Sequence, residues 1–401
     1  MSHIVVIGAG QAGVSLVAKL RSEGCDGDVT LVGAEPVLPY QRPPLSKKYL
    51  LGEMELERLF LRPEQFYADK NITLKLGNPV TAIDAVAKTV TVGEETLSYD
   101  QLALTTGSDP RRLPAGIGGD LTGVHVVRDL ADVDGMVPAV EKGGHVLIVG
   151  GGYIGLEAAA VAAKKGLKVT VVEMAERVLQ RVACPETSDY FRALHRRHGV
   201  DIIEGTGLER LIGDTQVTAA RLSDGRVIDV DFVIVGVGIA PATTVADMAG
   251  VTLENGIRVD AHGRTSDPAI WAAGDCAAFP FRDQILRLES VQNAIDQAEA
   301  VACNMLGANA RYVPNPWFWS DQYDVKLQIA GLNLGYNRVV VRQTDDAVSH
   351  WYYKGATLLA VDAMNDPRNY MIGKRLIEAG KSPDPNVIVD PETDMKALLR
   401  G

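Results

Sequence analysis

Two glycine-rich turns carry the clearest chemical signal in this 401-residue sequence. One stands in HIVVIGAGQAG and the other in HVLIVGGGYIG, each as Gly-x-Gly-x-x-Gly directly after a β-branched apolar run. In such a turn the first glycine permits the sharp bend, the second lets the backbone approach a pyrophosphate, and the third allows a helix to pack closely on the strand. One match is weak evidence, but two complete strand, turn and helix units predict two dinucleotide-binding sites.

An acidic residue follows the second strand of each unit, where a carboxylate can bind the ribose of a bound adenosine. Glu173 lies 18 residues after the last glycine of its turn, close to the expected spacing of about 20. A carboxylate there accepts from a free 2′-hydroxyl and repels a 2′-phosphate, which favours NADH over NADPH, although Arg177 and Arg181 nearby could in principle receive a phosphate. In the first unit, the strand Val29–Val32 leads to the candidate Glu35.

A third signal is TSDPAIWAAGDCA, an apolar strand that closes on Gly274 and Asp275. A helix predicted from Val291 onward would bring its N-terminus beside Asp275. A carboxylate at a strand end can hold a ribityl hydroxyl, and the helix dipole can stabilise negative charge on a reduced flavin. The motif is thus compatible with a flavin dinucleotide at one of the two sites.

Composition excludes several classes of protein. The 40 basic and 51 acidic residues give a net charge of −11, which argues against nucleic acid as a partner. Apolar runs are far shorter than the roughly 20 residues of a membrane helix, so no membrane segment is predicted. The first strand begins at His3 and leaves no room for a signal peptide, and a cytoplasmic location is expected.

The cysteines and histidines give no redox or metal motif. Cys25, Cys184, Cys276 and Cys303 are widely separated, so neither a dithiol nor a zinc knuckle is expected, and no metal site is predicted. The two histidines of HRRHG, His195 and His198, are expected to lie on a solvated helix face among arginines that disfavour a bound cation.

With these motifs in view, the chain resembles the FAD- and NAD-dependent pyridine nucleotide oxidoreductases, and more narrowly the bacterial ferredoxin reductases of cytochrome P450 and ring-hydroxylating dioxygenase systems. The resemblance covers almost the whole chain and rests on YQRPPLSKKYL, GGGYIGLE, TSDPAIWAAGDCA, RLESVQNA and PWFWSDQY, in the family order. It implies an α/β fold of the glutathione-reductase kind, with two Rossmann-like dinucleotide-binding domains and a C-terminal α+β domain.

The resemblance also implies the domain limits. The FAD domain would be discontinuous, 1–112 and 243–317, with an NAD domain at 113–242 and the C-terminal domain at 318–401. The last domain has support of its own, because VKLQIAGL, RVVVRQ and SHWYYKGATLLAVDAMN alternate like antiparallel strands, and NYMIGKRLIEAG is typical of a covering helix.

Site residues follow from the resemblance, position by position. The FAD contacts would be Gly8, Gly10, Ala12, Gly13, Glu35, Arg42, Pro44, Lys47, Val80, Thr106, Gly107, Arg128, Gly274, Asp275, Glu289, Val291 and Trp319. The NAD contacts would be Gly150, Gly152, Tyr153, Ile154, Gly155, Glu157, Glu173 and Gly238. Lys47, Glu157 and Trp319 take the catalytic positions, and Lys47 is expected to pair with Glu157 beside the flavin. Ala34 departs from the acidic residue common in the family, which leaves Glu35 as the ribose ligand.

The stretch PYQRPPLSKKYL predicts where the electrons go. Disulfide reductases of this kind carry a redox-active cysteine pair in this region, and the stretch has no cysteine. The reduced flavin must therefore release its electrons outward, and a [2Fe–2S] ferredoxin, a one-electron carrier, fits as a transient, electrostatically docked partner. Basic residues around Arg338, Arg342, Arg368, Lys374 and Arg375 are the candidate docking patch. The chain is expected to be a monomer or a weak homodimer.

Other functions stay open at this point. A rubredoxin reductase, or a reductase of monodehydroascorbate, would share the chemistry. An NADH oxidase or peroxide reductase shares the fold but usually depends on a cysteine near residues 40–45, where this chain has none. A redox-sensing flavoprotein would use the cofactor to control association.

Overall fold

The computed structural model describes residues 2–344 and 347–400. The chain forms two compact units, each assembled from separate segments. Unit 1 consists of the segment up to Arg42 together with Glu55–Asp109 and Ile239–Pro316. Unit 2 consists of Pro43–Met54, Pro110–Gly238 and the segment from Trp317 onward.

Unit 1 contains a five-stranded parallel sheet. The strand order is Ile270–Ala272, Gln101–Leu104, His3–Ile7, Asp28–Gly33 and Ile72–Leu76. The helices Gln11–Ser22 and Val291–Met305 share one hydrophobic core with these strands. Continuous β-branched runs form the central strands because both faces of such a sheet are covered.

The remainder of unit 1 is made of small elements. One antiparallel sheet holds Val80–Asp84, Thr89–Val92 and Glu95–Ser98, and another small sheet holds Ile257–Arg258, Ala277–Phe281 and Gln284–Leu286. Short helices cover Leu56–Arg58, Glu64–Asp69 and Thr244–Met248. Two short strands, Ser108–Pro110 and Ile239–Pro241, lie where the chain passes from one unit to the other.

Unit 2 repeats the parallel arrangement. The strand order is Asp201–Glu204, Lys168–Glu173, His145–Val149, Phe232–Val235 and Val124–His125. Its helices are Leu130–Lys142, Tyr153–Lys164 and Pro185–Arg197, with a single turn at Ala115–Ile117. A three-stranded antiparallel sheet adds Leu208–Ile212, Ala219–Leu222 and Val227–Asp229.

The C-terminal part of unit 2 is an antiparallel sheet covered by helices. The strand order is Trp317–Gln322, Val325–Gly331, Thr357–Met364, Val348–Lys354 and Arg338–Gln343. The helix Pro367–Glu378 follows, capped by the Asp366 side chain, and Pro385–Val389 and the turn Ala397–Leu399 complete the chain. The predicted fold class is confirmed, including the alternating strands and their covering helix.

The functional division into FAD, NAD and C-terminal domains stays a prediction. One segment of the predicted FAD domain, Pro43–Met54, folds with unit 2. In the part of the chain that the structure describes, no helix combines the length and apolar character needed to cross a bilayer.

Candidate functional site

The first glycine turn has the shape that a pyrophosphate requires. Gly8 has φ +114°, and a Cβ there would lie 2.2 Å from the Thr105 carbonyl oxygen. A Cβ on Gly13 would lie 2.0 Å from the Gly8 oxygen, so the helix packs against the turn as closely as only glycine permits. Among the described residues, a Cβ on Gly10 would meet no atom within 4 Å, which leaves space in front of the helix N-terminus. The turn therefore fits a dinucleotide phosphate.

The bend at Gly274, after the strand Ile270–Ala272, lies against the helix that follows this turn. Gly274 has φ +84°, and a Cβ there would lie 3.0 Å from the Ala12 Cβ. Its amide donates to Gln297 Oε1 at 2.9 Å. The hydroxyl of Ser290 accepts from the Asn293 amide at 3.1 Å and so caps the helix Val291–Met305. These contacts bring the glycine–aspartate motif and two helix N-termini together in unit 1.

The Glu35 carboxylate is held by two neighbours. It accepts from Arg42 Nη2 at 2.6 Å and from the Tyr40 hydroxyl at 2.5 Å, and about a third of the side chain is exposed. Ala34 is exposed beside it. The carboxylate follows the second strand, as the ribose role requires, and that role stays a prediction.

Other predicted FAD residues lie at several places in the two units. In unit 1, the Thr106 hydroxyl donates to the Ala242 oxygen at 2.6 Å, next to Gly107. Val80 begins a strand, and Glu289 pairs with Arg287 at 2.7 Å. The predicted FAD residues that lie in unit 2 are Pro44, Lys47, Arg128 and Trp319.

The second glycine turn, in unit 2, repeats the geometry of the first. Gly150 has φ +108°, and a Cβ there would lie 2.4 Å from the Gly236 oxygen. A Cβ on Gly155 would lie 2.1 Å from the Gly150 oxygen, whereas one on Gly152 would meet no atom of the residues that the structure describes within 4 Å. Tyr153 and Ile154 begin the helix that follows, and Gly238, φ +97°, lies after the last strand. This turn fits a second dinucleotide.

Glu173 lies at the rim of the second turn. Its carboxylate accepts from the Gly151 amide at 2.7 Å and from the Ala175 amide at 2.8 Å. The guanidinium of Arg177, which the sequence offered as a phosphate ligand, donates to the Ser188 hydroxyl and to the Ala183 oxygen. The carboxylate is thus fixed next to the turn, and the arginine is held by other groups.

Lys47 and Glu157 form an ion pair in unit 2. Lys47 Nζ lies 2.6 Å from Glu157 Oε2, with the two side chains 17% and 5% exposed. The Ser46 hydroxyl donates to the same oxygen at 2.8 Å, and the Ser320 hydroxyl donates to Oε1 at 2.7 Å. Glu157 projects from the helix Tyr153–Lys164, and Lys47 interrupts a π-helical turn, Leu45–Tyr49. Glu157 is thus a buried carboxylate bonded to one cation and two hydroxyl donors, which compensate the cost of burying it.

Trp317 and Trp319 lie on the first strand of the C-terminal sheet. The rings of Trp317 and Trp319 are 5.5 Å apart, and both side chains are partly exposed. Phe318, between them, packs on the Tyr153 ring at 5.0 Å. Lys374 lies over the Trp317 ring at 5.8 Å. A role for Trp319 near the nicotinamide stays a prediction.

Two expectations from the sequence are wrong. His195 is fully buried rather than solvated, because it falls on the apolar face of its helix with Phe191 and Leu194, whereas His198 is exposed. Arg342 is also buried, and its guanidinium donates to the carbonyl oxygens of four residues near the C-terminus, Ile388, Asp390, Pro391 and Thr393. It therefore cannot serve in a docking patch, whereas Arg338, Arg368 and Arg375 are exposed.

A second polar cluster is buried in unit 2. Ligand atoms of Cys184, His350 and Asp362 all lie within 4.8 Å of one another, a spacing that a metal ion could use. The Thr187 hydroxyl lies among them, 2.7 Å from His350 Nδ1 and 2.8 Å from Asp362 Oδ2. The Tyr352 hydroxyl also donates to Asp362. The cluster is thus a hydrogen-bonded network, and the expected absence of a metal stays a prediction.

Comparison with known proteins places these features in one family. Residues 2–298 match the family model described as pyridine nucleotide-disulphide oxidoreductase, and residues 317–399 match the model described as reductase C-terminal. A ferredoxin–NAD(P)⁺ reductase of Sphingomonas sp. is 43% identical over 99% of this chain and 97% of its own. Rhodocoxin reductase of Rhodococcus erythropolis is 41% identical over 99% of this chain and 94% of its own.

A solved structure is similar over the full length. The crystal structure of the covalent putidaredoxin reductase–putidaredoxin complex matches with a TM-score of 0.95 and 39% identity, over 100% of this chain and 98% of the matched chain. The curated putidaredoxin reductase, from Pseudomonas putida, is also 39% identical, over 99% of this chain and 96% of its own.

Proposed function

This chain belongs to the pyridine nucleotide-disulphide oxidoreductase family and carries the family's reductase C-terminal domain, and from that premise we propose that it is an NADH-dependent ferredoxin reductase. The observation that carries the proposal is the stretch PYQRPPLSKKYL, which holds a lysine paired with a buried glutamate and contains no thiol. Bound FAD supplies the chemistry, accepting a hydride from NADH and releasing electrons one at a time.

The relatives support a ferredoxin as electron acceptor. Two of them are named for the reduction of a ferredoxin or rhodocoxin, and the solved complex contains putidaredoxin together with its reductase. Similarity over at least 99% of this chain covers both the cofactor-binding part and the C-terminal domain. The proposed partner is a [2Fe–2S] ferredoxin that serves a cytochrome P450 or a ring-hydroxylating oxygenase.

The residues of unit 2 define how the chain contributes to the reaction. Lys47 presents an ammonium group whose position is fixed by Glu157, by the Pro43 oxygen at 3.2 Å, and by its low exposure. A fixed positive charge stabilises negative charge that develops nearby, with no reorganisation during the reaction. We assign this role to Lys47 toward the flavin and the role of orienting it to Glu157.

Docking of the ferredoxin is proposed to be transient and electrostatic. Arg338, Arg368 and Arg375 offer exposed positive charge on the C-terminal part of unit 2. Such charges raise the rate of encounter with an acidic partner and make that rate sensitive to salt. The proposal includes a monomer or weak homodimer and a cytoplasmic location, where NADH is regenerated.

The test is NADH-dependent reduction of cytochrome c by the purified holoenzyme, with and without a [2Fe–2S] ferredoxin from the same cell. A large rate that requires ferredoxin supports the proposal. Rapid consumption of oxygen or peroxide without ferredoxin dependence would replace it with an oxidase or peroxide reductase. Transfer to a rubredoxin in preference to a ferredoxin would identify a rubredoxin reductase. Slow turnover with every acceptor, together with an NADH-dependent change of oligomeric state, would identify a redox sensor.

Preference for NADH over NADPH rests on Glu173. Its carboxylate accepts from a 2′-hydroxyl and repels a 2′-phosphate, and Arg177 is engaged with Ser188 and Ala183. We expect Glu173→Ala to lower the NADH to NADPH ratio of kcat/KM about tenfold. The matched control is Glu176→Ala, because Glu176 is a nearby acid on the same connection. An unchanged ratio in Glu173→Ala would contradict the assignment.

A further inference from the structure

A row of buried polar side chains leads away from the Lys47–Glu157 pair inside unit 2. Ser320 and Gln322 lie on the inward face of the strand Trp317–Gln322, and His195 lies on the buried face of the helix Pro185–Arg197. All three have an exposed fraction of 0%. Burying three polar side chains in a row is costly unless each is hydrogen-bonded.

The row is a continuous chain of hydrogen bonds. Ser320 Oγ lies 2.7 Å from Glu157 Oε1, and Gln322 Nε2 lies 3.2 Å from Ser320 Oγ. His195 Nε2 lies 2.8 Å from Gln322 Oε1, and the Tyr323 hydroxyl lies 3.2 Å from His195 Nδ1. The chain therefore joins a carboxylate at the candidate site to a partly exposed tyrosine.

The chemistry of the groups fixes the direction of every donor. A carboxylate only accepts, so the proton of Ser320 points to Glu157, and the amide of Gln322 must then donate to Ser320. The Gln322 oxygen only accepts, so His195 carries its proton on Nε2. Burial lowers the pKa of His195 to about 4, so the ring is neutral at pH 7 and its Nδ1 accepts from Tyr323. All four donors are oriented toward Glu157.

We propose that Ser320, Gln322 and His195 are positioning residues for the reductase reaction, because they hold Glu157 Oε1 and leave Oε2 to fix Lys47. This inference rests on the proposed function of the Lys47–Glu157 pair. A chain whose dipoles share one direction stabilises the charged carboxylate more than isolated bonds do. It also fixes the carboxylate rotamer, since Oε1 and Oε2 have different partners.

The kinetic test is a double-mutant cycle on the holoenzyme. Gln322→Met keeps the volume of the side chain and removes the link between His195 and Ser320. We expect it to slow flavin reduction by NADH about tenfold in stopped-flow measurements, with the Kd for NADH unchanged. In the Glu157→Gln background the same substitution should have less than about a twofold effect, because the chain acts through the carboxylate. Equal effects in both backgrounds would overturn the proposal.

Matched variants separate the chain from general damage to the helix or strand. His198→Phe changes an exposed histidine three residues from His195 whose ring stacks on Tyr323 at 3.7 Å, and it should leave the rate unchanged. Should Gln322→Met fail to fold, Ser320→Ala and Tyr323→Phe test the two ends of the chain by the same cycle. Ser320→Ala should have the larger effect. If neither variant slows flavin reduction, the proposal is overturned.

A second readout needs no turnover and no bound cofactor. In protein labelled with ¹⁵N-histidine, the signals lost in His195→Phe identify the ring, and their shifts report which nitrogen carries the proton. We expect a neutral ring with the proton on Nε2 at pH 7, and altered shifts in Gln322→Met. A ring protonated on Nδ1, or one that titrates near pH 6.5, would overturn the direction of the chain.

The two proposals can fail independently. Flavin reduction by NADH is measured without ferredoxin. The double-mutant cycle therefore tests the hydrogen-bond chain even in an enzyme that fails the ferredoxin assay. Wild-type protein that NADH does not reduce would overturn the proposed function itself. Normal ferredoxin-dependent turnover with additive effects in the cycle would leave the proposed function standing and remove only the positioning role.

Discussion

Glu157 and Asp362 are both buried carboxylates of unit 2, and the groups that surround them differ. Glu157 lies against the Lys47 ammonium, whereas Asp362 accepts from the hydroxyls of Thr187 and Tyr352. Burial raises the pKa of Asp362 to about 6, since hydroxyl donors compensate a buried charge less than a cation does. The two buried carboxylates thus differ in their partners, a cation for Glu157 and hydroxyl groups for Asp362.

The two carboxylates also lie on different elements of unit 2, Glu157 on the helix after the second glycine turn and Asp362 on a strand of the C-terminal sheet. A buried ion pair seldom adds stability, because desolvation offsets the attraction, so we expect the Lys47–Glu157 pair to affect flavin reduction more than stability. The Asp362 network joins the start of the helix Pro185–Arg197 to two strands of the C-terminal sheet. His350 completes it as a neutral ring, because burial lowers its pKa to about 4.

The largest effect is expected for Lys47→Met, which removes the cation but keeps most of the side-chain volume. Flavin reduction by NADH should slow by about 100-fold, the size found when one fixed electrostatic donor is lost from a site. Stopped-flow absorbance of the flavin measures this rate. Lys48→Met is the matched control, because Lys48 is exposed next to Lys47, and its rate should stay at the wild-type value. Equal rates of flavin reduction for the two variants would show that Lys47 has no role in this step.

A smaller effect, on stability alone, is expected for Asp362→Ala. The Thr187 and Tyr352 hydroxyls would lose their acceptor, and the free energy of unfolding should fall by about 2 kcal/mol in urea titrations. The rate of flavin reduction per folded molecule should not change. Asp362→Asn keeps an acceptor oxygen and should lose about half as much. A slower flavin reduction in either variant would assign the cluster to the site.

The smallest effect is a pH dependence that distinguishes Asp362 from the two buried histidines. His195 and His350 have pKa values near 4, so as the pH falls below about 6.5 the unfolded chain binds protons first and stability is lost. Asp362, with its raised pKa, binds a proton first in the folded chain, so the same fall in pH through 6 adds stability.

Asp362→Asn removes the titrating carboxylate, and with it the gain in stability that offsets the loss caused by the two histidines. Between pH 7 and pH 5 the variant should therefore lose roughly 1 kcal/mol more stability than the wild type. Urea unfolding of both proteins at the two pH values measures the difference. A constant difference would mean that Asp362 is ionised throughout the range.

The parts of the fold that repeat a local pattern could be predicted from the sequence. The contact that requires glycine at Gly13 is local, since a Cβ there would meet the Gly8 carbonyl oxygen within the same turn. The contact at Gly8 is not local, since a Cβ there would meet the carbonyl oxygen of Thr105, 97 positions away. Glu173 follows from spacing along one strand. The antiparallel C-terminal strands were visible as alternation, because one face of such a sheet is buried.

The hydrogen-bond chain behind Glu157 could not be predicted in the same way. It joins Ser320 to a residue 163 positions away, and no local pattern encodes such a contact. Helical spacing does predict that His195 is buried, since it lies four residues after Phe191 and eight after Thr187, on the buried face of the helix. The arginines around His195 favoured the opposite interpretation. Neighbouring charge was therefore a poorer guide to burial than helical spacing.

The segment Pro43–Met54 constrains the order in which the chain can fold. Its polar contacts, Lys47 with Glu157, Glu53 with Lys164 and Tyr49 with Asp134, join residues 85 to 111 positions apart. Contacts so distant in sequence form late, because the intervening chain must be synthesised and its loop closed at an entropic cost. On the ribosome the lysine must therefore remain without its partner until the helix Tyr153–Lys164 emerges.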